Sequence, residues 1–211
     1  MNKGNILATA RSLLICCCLT GLGTASYSAP TPTVVSGVTF ESELTARSTR
    51  LQLNGAGLRM AAVFKVYAGG LYLPQKASSL REVMSQPGIK RWHVVFLRDV
   101  DGNDMGKQFT RSMEKGATKA EILAIIPTIA RIGEMFSQKK RMLAGESYTL
   151  EWVPNEGTYV YINEKLGNTE PFKDGVFFQL YMRLLLGDSP ADANLKAQVL
   201  GLPEPNLSTP N

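Results

Sequence analysis

The residue with the strongest chemical signature is Arg59. It stands in Leu53–Pro74, LNGAGLRMAAVFKVYAGGLYLP, where Arg59 and Lys65 are the only charges in a long apolar run. Val63, Phe64, Val66, Tyr67, Leu71 and Tyr72 are β-branched, aromatic or large and apolar. Such a run predicts one strand, or two end to end, buried on both faces. A cation inside it is costly unless it has a partner or a ligand. The guanidinium offers a planar fork of donors that matches a carboxylate or an enolate oxygen. A hydroxyl from Tyr67 or Tyr72 would complete that polar end. Met105, Phe109 and Met113, spaced i, i+4, i+8, supply an apolar helix stripe for the remainder. Together these residues outline a pocket for an amphiphile with one anionic head. An alternative stays open: Arg59 pairs with a buried acid or emerges at a strand end. Lys65 reads as a snorkelling surface residue.

Other chemistries find little support. His93 is the only histidine, and a lone strand histidine reads as a packed residue rather than a metal ligand or a triad member. Gly55-Ala56-Gly57 reads as a glycine turn. It lacks a third glycine and precedes an apolar strand, so the dinucleotide fingerprint fails. No P-loop or calcium loop is present. Glu151 and Glu156 flank a turn and read as solvated. No metal and no cofactor is expected.

These groups need a scaffold. Val38 to Phe40 and Arg50 to Leu53 read as strands. Ala77-Ser78-Ser79 offers a cap for a short helix, Leu80 to Gln86, stopped by Pro87-Gly88. Lys90 to Arg98 is a strand with Trp92, Val94 and Phe96 on one face and His93, Val95 and Leu97 on the other. Helices are expected from about Asn103 to Ala117 and from Lys119 to Gln138, the second kinked or restarted at Pro127. Lys139, Lys140 and Arg141 would complement its dipole. Glu146 to Val153 and Thr158 to Ile162 form a hairpin, followed by a short strand, Leu166 to Thr169. Phe172 to Leu186 and Asp192 to Leu200 are the last helices, closed by Gly201. One α+β domain follows, an antiparallel sheet covered on one side by helices.

The N-terminus has export features. Lys3 and Arg11 precede the apolar Ser12 to Leu22, and small residues follow. This is the pattern of a secretory signal peptide, cut after Ser26 or as late as Ala29. No small residue precedes Cys16, which argues against a lipid anchor. The three cysteines all lie in this segment, so the mature chain has no disulfide, thiolate ligand or cysteine nucleophile. Without Lys3 and Arg11 the chain carries 21 basic against 18 acidic residues, too mild a charge to suggest nucleic acid. The expected order is a signal peptide over 1–26, a linker over 27–37, a domain over 38–202 and a disordered tail over 203–211. No integral membrane segment remains after signal removal, and the location is exported, in a periplasm.

GAGLR, FKVYAGGLYL, GKQF and LLLGDSPADANLKAQVLG, in that order, resemble the chalcone isomerase-like family, in its exported bacterial branch. The resemblance spans Val38 to Leu202 and implies an open-faced β-sandwich, a large antiparallel sheet with a helix layer and a ligand cleft between. It places the arginine of plant chalcone isomerases on Arg59. Their threonine falls on Tyr67, their helix tyrosine on Phe109 and their asparagine on Gly116, so three of the four groups differ. An arginine with a tyrosine is similar instead to the fatty-acid-binding members, where the pair holds the carboxylate. Arg59 and Tyr67 are eight residues apart, about 26 Å on one straight strand. They meet only if the chain bends between Met60 and Val63. Three readings remain: a non-catalytic binder of a fatty acid or similar apolar carboxylate, a chalcone–flavanone isomerase, or a partner-binding protein with a filled cleft. No protein partner is specified. The site residues expected are Arg59, Tyr67, Met105, Phe109 and Met113.

Overall fold

The structure, a computed structural model, describes residues 31–205 apart from 138 and 169. The expected signal peptide and the end of the tail lie outside them. The chain forms β1 (Thr33–Val35), β2 (Val38–Phe40), β3 (Glu43–Ala46), β4 (Thr49–Ala61), β5 (Phe64–Leu73), α1 (Leu80–Ser85), β6 (Lys90–Phe96) and β7 (Val100–Asp101). It continues through α2 (Gly102–Gly116), α3 (Lys119–Ser137), β8 (Arg141–Met142), β9 (Ser147–Val153), β10 (Gly157–Ile162), β11 (Lys165–Leu166), α4 (Gly175–Leu186) and α5 (Ala193–Leu200). Seven strands make one antiparallel sheet in the order β11-β10-β9-β6-β5-β4-β3. Residues 33–35 of the expected linker are a strand, because Thr33 to Val35 pair with Phe40 to Val38 across the Ser36-Gly37 turn.

The Leu53–Pro74 run is a hairpin rather than a continuous strand. Ala62 takes a left-handed φ of 50° and the chain reverses there, with Val63 and Phe64 exposed at the tip. Apolar composition could not reveal this reversal, since a turn of Ala62 and Val63 carries no usual turn signal. The reversal makes Arg59 and Tyr67 direct cross-strand partners. Their side chains therefore share a face.

Gly55-Ala56-Gly57 is extended strand inside β4, and the expected glycine turn is corrected. A Cβ at Gly55 would stand 2.4 Å from the Gln198 carbonyl oxygen, and one at Gly57 2.6 Å from Gln198 Oε1. The glycines let α5 lie directly on the strand. Asn54 fixes that contact by donating to the carbonyls of Ala77 (2.9 Å) and Val199 (2.8 Å). Gln198 accepts from Leu58 N–H at 2.9 Å. Gly69 and Gly70 play the same part across the sheet. A Cβ on the first would meet the Trp92 ring at 2.3 Å, and on the second the Phe40 ring at 2.5 Å.

The sheet therefore has two packed faces. Leu71, Trp92, Val94, Leu150 and Val160 meet α4 and α5 on the helix side. Phe40, Leu51, Leu53, Ala68 and Tyr72 form a smaller core on the other. The faces of Lys90–Phe96 follow the expected alternation. Helix α4 starts at Gly175, capped by Asp174, and Phe172 instead bridges to Thr158. Helix α3 runs through Pro127 as one element. The basic residues after it face other tasks: Lys139 bonds Glu146 at 2.6 Å, and Arg141 belongs to β8. Helices α2 and α3 form an excursion between β6 and β9, closed at its root by the two-residue β7–β8 ladder.

Candidate functional site

Arg59 reaches out of β4 to the start of α5. Its Nη1 donates to Asp192 Oδ2 at 3.1 Å and to the Met60 carbonyl at 2.5 Å. Asp192 is the α5 N-cap, accepting from Leu195 N–H at 3.0 Å and from Met60 N–H at 3.1 Å. The acid is 9% exposed and Arg59 20%. Arg59 thus has the buried acidic partner that the sequence left open as its alternative role. Its Nε and Nη2 have no acceptor among the described residues. Tyr67 stands beside it on β5, half-buried. Burial raises its hydroxyl pKa far above the usual value; Arg59 pulls it down and Asp192 pushes it up.

From Tyr67 an aromatic row crosses the helix-facing side of the sheet. Tyr67 and Phe96 meet edge to face at 6.3 Å between ring centroids, and Phe96 and Tyr148 lie 5.9 Å apart. The Tyr148 hydroxyl pairs with that of Tyr181, from α4, at 2.5 Å. Burial holds both pKa values above normal, and proximity to one another keeps Tyr181 higher still. Both are therefore neutral donors at ordinary pH. The Trp92 indole N–H, fully buried, lies near both hydroxyls and favours their ionised forms. Neither hydroxyl meets it in full hydrogen-bond geometry, and no other acceptor does among the described residues.

Two cavities flank α2, and they share no lining residue. The first, about 560 Å³, lies between the sheet and helices α2, α3 and α4. Met105, Ile132, Phe136, Leu150, Val160 and Phe177 give it an apolar wall. Tyr148 and Tyr181 form its buried polar corner, and exposed Lys107 is its only charged lining residue among those described. That size and lining suit a small apolar ligand. The second, about 1080 Å³, is basic: Arg59, Arg81, Arg111, Arg183 and Lys196 line it, against Asp188. Arg183 already holds Glu121 at 3.1 Å.

The expected site residues are thus divided. Arg59 and Met113 line the basic cleft, and Met113 is also part of the core. Met105 lines the apolar cavity, while Tyr67 lines neither. The Phe109 side chain lies outside the described residues. Gly116 borders the basic cleft. The split of Met105 from Met113 follows from helix geometry, since eight residues overshoot two turns by about 80°.

Sequence patterning does not single out Tyr148 or Tyr181, and places Trp92 only on one face of its strand. One signal existed: Tyr181 is a hydroxyl in the stretch VFFQLYM, which is apolar apart from it and Gln179. The reading of Glu151 as solvated is also corrected. It is 1% exposed on the sheet's other face, held by Arg47 at 2.9 Å, Arg91 at 2.8 Å and the Tyr161 hydroxyl at 3.1 Å. His93 is on that face too, its Nδ1 2.8 Å from Thr149 Oγ1, and burial lowers its pKa. No cluster of metal-ligating side chains occurs among the described residues. No described helix is long and apolar enough to cross a membrane.

A family model described as chalcone isomerase-like matches residues 32–201. The crystal structure of a fatty-acid binding protein from Arabidopsis thaliana is similar, with a TM-score of 0.63 at 15% identity. The match covers 81% of this chain and 96% of that one. At such identity the likeness shows the fold. No curated protein matches the sequence.

Proposed function

The chain belongs to the chalcone isomerase-like family, and from that premise we propose that it is a non-catalytic binding protein for a fatty acid or similar apolar carboxylate. The observation that carries this reading is the apolar cavity of about 560 Å³ with a single buried polar corner. A ligand with a long aliphatic body fills such a space and gains from each methylene removed from water, about 0.8 kcal/mol apiece. The similar fold of a fatty-acid binding protein supports the same choice.

An isomerase fits less well. Closing a ring through an enolate or phenolate needs preorganised donors at the developing charge. Arg59 is engaged by Asp192, and Gly116 offers no side chain. A filled cleft, as a purely partner-binding protein would have, is opposed by the open volume. Export to a periplasm belongs to this proposal and is supported by the pattern of residues 1–26.

Native mass spectrometry of the purified protein, followed by solvent extraction, tests it. The expected result is a co-purifying long-chain acid, lost on delipidation and regained on adding one. A protein that emerges empty, and stays empty with added fatty acid, overturns the reading.

A further inference from the structure

If the cavity takes a fatty acid, its polar corner decides in which protonation state. The donors there are the Tyr148 and Tyr181 hydroxyls, 2.5 Å apart, with the buried Trp92 indole N–H behind them and outside the cavity lining. The tyrosine pair carries two hydroxyl protons, and its mutual hydrogen bond uses one of them. The second proton can be donated to a ligand oxygen at this corner of the cavity, which both tyrosines line.

We propose that the corner formed by Tyr148 and Tyr181, backed by Trp92, receives an uncharged oxygen acceptor, so that a carboxylic acid binds with its proton on and an ester or ketone of similar shape binds as well. This rests on the binding-protein reading and refines it.

The charges around the corner support this choice. On β5, Tyr67 is neutral, and beyond it Arg59 is matched by Asp192. On α2, Lys107 is exposed at the rim. The lining residues of α3, α4, β9 and β10 carry no charge. A carboxylate at the corner would be desolvated with no cation beside it, which costs several kcal/mol. An uncharged carbonyl meets only neutral donors and accepts from them at little desolvation cost. An ionised head would have to turn outward to Lys107 or lie in the basic cleft.

The test is calorimetric titration of the delipidated protein with dodecanoic acid and with methyl dodecanoate between pH 5 and 8. Wild type is compared with Tyr148→Phe, Trp92→Phe, Lys107→Ala and Arg59→Ala. The expected result is ester affinity independent of pH, and acid affinity falling about tenfold per pH unit above the ligand's own pKa. Tyr148→Phe weakens both ligands roughly tenfold, while Arg59→Ala, in the separate basic cleft, leaves ester binding unchanged and Lys107→Ala leaves the pH dependence of acid binding unchanged. Trp92→Phe gives a second reading of the corner should Tyr148→Phe fold poorly. Acid binding that holds across the pH range, is lost in Lys107→Ala or Arg59→Ala, and exceeds ester binding overturns the inference and leaves the binding-protein reading standing. Failure of both ligands to bind overturns both.

Discussion

Arg59 shows why a cation in an apolar run is ambiguous from sequence. Its neighbours in the chain are apolar, but its partner Asp192 is 133 residues away and is supplied by the cap of α5. The same long-range pairing hid Glu151. Flanked in sequence by Leu150 and Trp152, it is closed in by Arg47, Arg91 and Tyr161. Removing one partner of a buried ion pair leaves uncompensated charge, and here both arginines keep some access to water. Glu151→Ala should lower the unfolding free energy by about 3 kcal/mol, and Glu151→Gln by less, since it keeps a hydrogen bond from Tyr161. Urea denaturation of the two variants checks this order. Glu121 gives a pH effect. The Thr118 backbone N–H, then Arg183, hold its carboxyl down to about 2 from 4.5. A depressed folded pKa stabilises above the unfolded value and loses that contribution as pH falls through the folded one. Thermal stability should therefore fall as pH drops from about 4.5 toward 2. Glu121→Gln should make the profile flatter in that window.

Among the elements, the sheet and most helices were legible because each carries its own period or cap. Lys90–Phe96 alternates, α1 has Ser79, and α5 ends at Gly201 with a left-handed φ of 63°. The β4–β5 hairpin was not legible, because its turn uses Ala62 and Val63 and its strands are apolar on both sides. The glycines in it are explained by neighbours distant in sequence: α5 for Gly55 and Gly57, Trp92 for Gly69. Gly69→Ala should cost about 1–3 kcal/mol through overpacking against the indole, read as a lowered denaturation midpoint with unchanged slope. The α2–α3 excursion is closed at its root by the β7–β8 ladder and a few polar contacts around it, and carries exposed Leu123 and Ile126. A ligand beneath it adds contacts to both helices. Amide exchange in α2 and α3 should slow on loading with dodecanoic acid, while β5 and β6 stay unchanged. Equal slowing everywhere would argue against a site under these helices.

For the whole molecule, one sheet separates two jobs. One face packs β1–β2 and the Glu151 network; the other leaves an apolar cavity and a basic cleft on either side of α2. The fold class followed from the sequence, whereas the single pocket expected of Arg59 with Met105 and Met113 is divided between two cavities. The position of the polar corner did not follow, because it depends on β9 meeting α4 in space. The most direct test of the account uses Gly133, which lines the cavity and has open space where a Cβ would stand. Gly133→Leu fills that space and removes a helix-interior glycine, so stability should hold or rise by about 0.5–1 kcal/mol. The decisive measurement is calorimetric titration of delipidated wild type and Gly133→Leu with dodecanoic acid. Saturable binding in the wild type, weakened at least tenfold in a variant that melts no lower, is the predicted result. Equal binding by both proteins would contradict the placement of the ligand in this cavity.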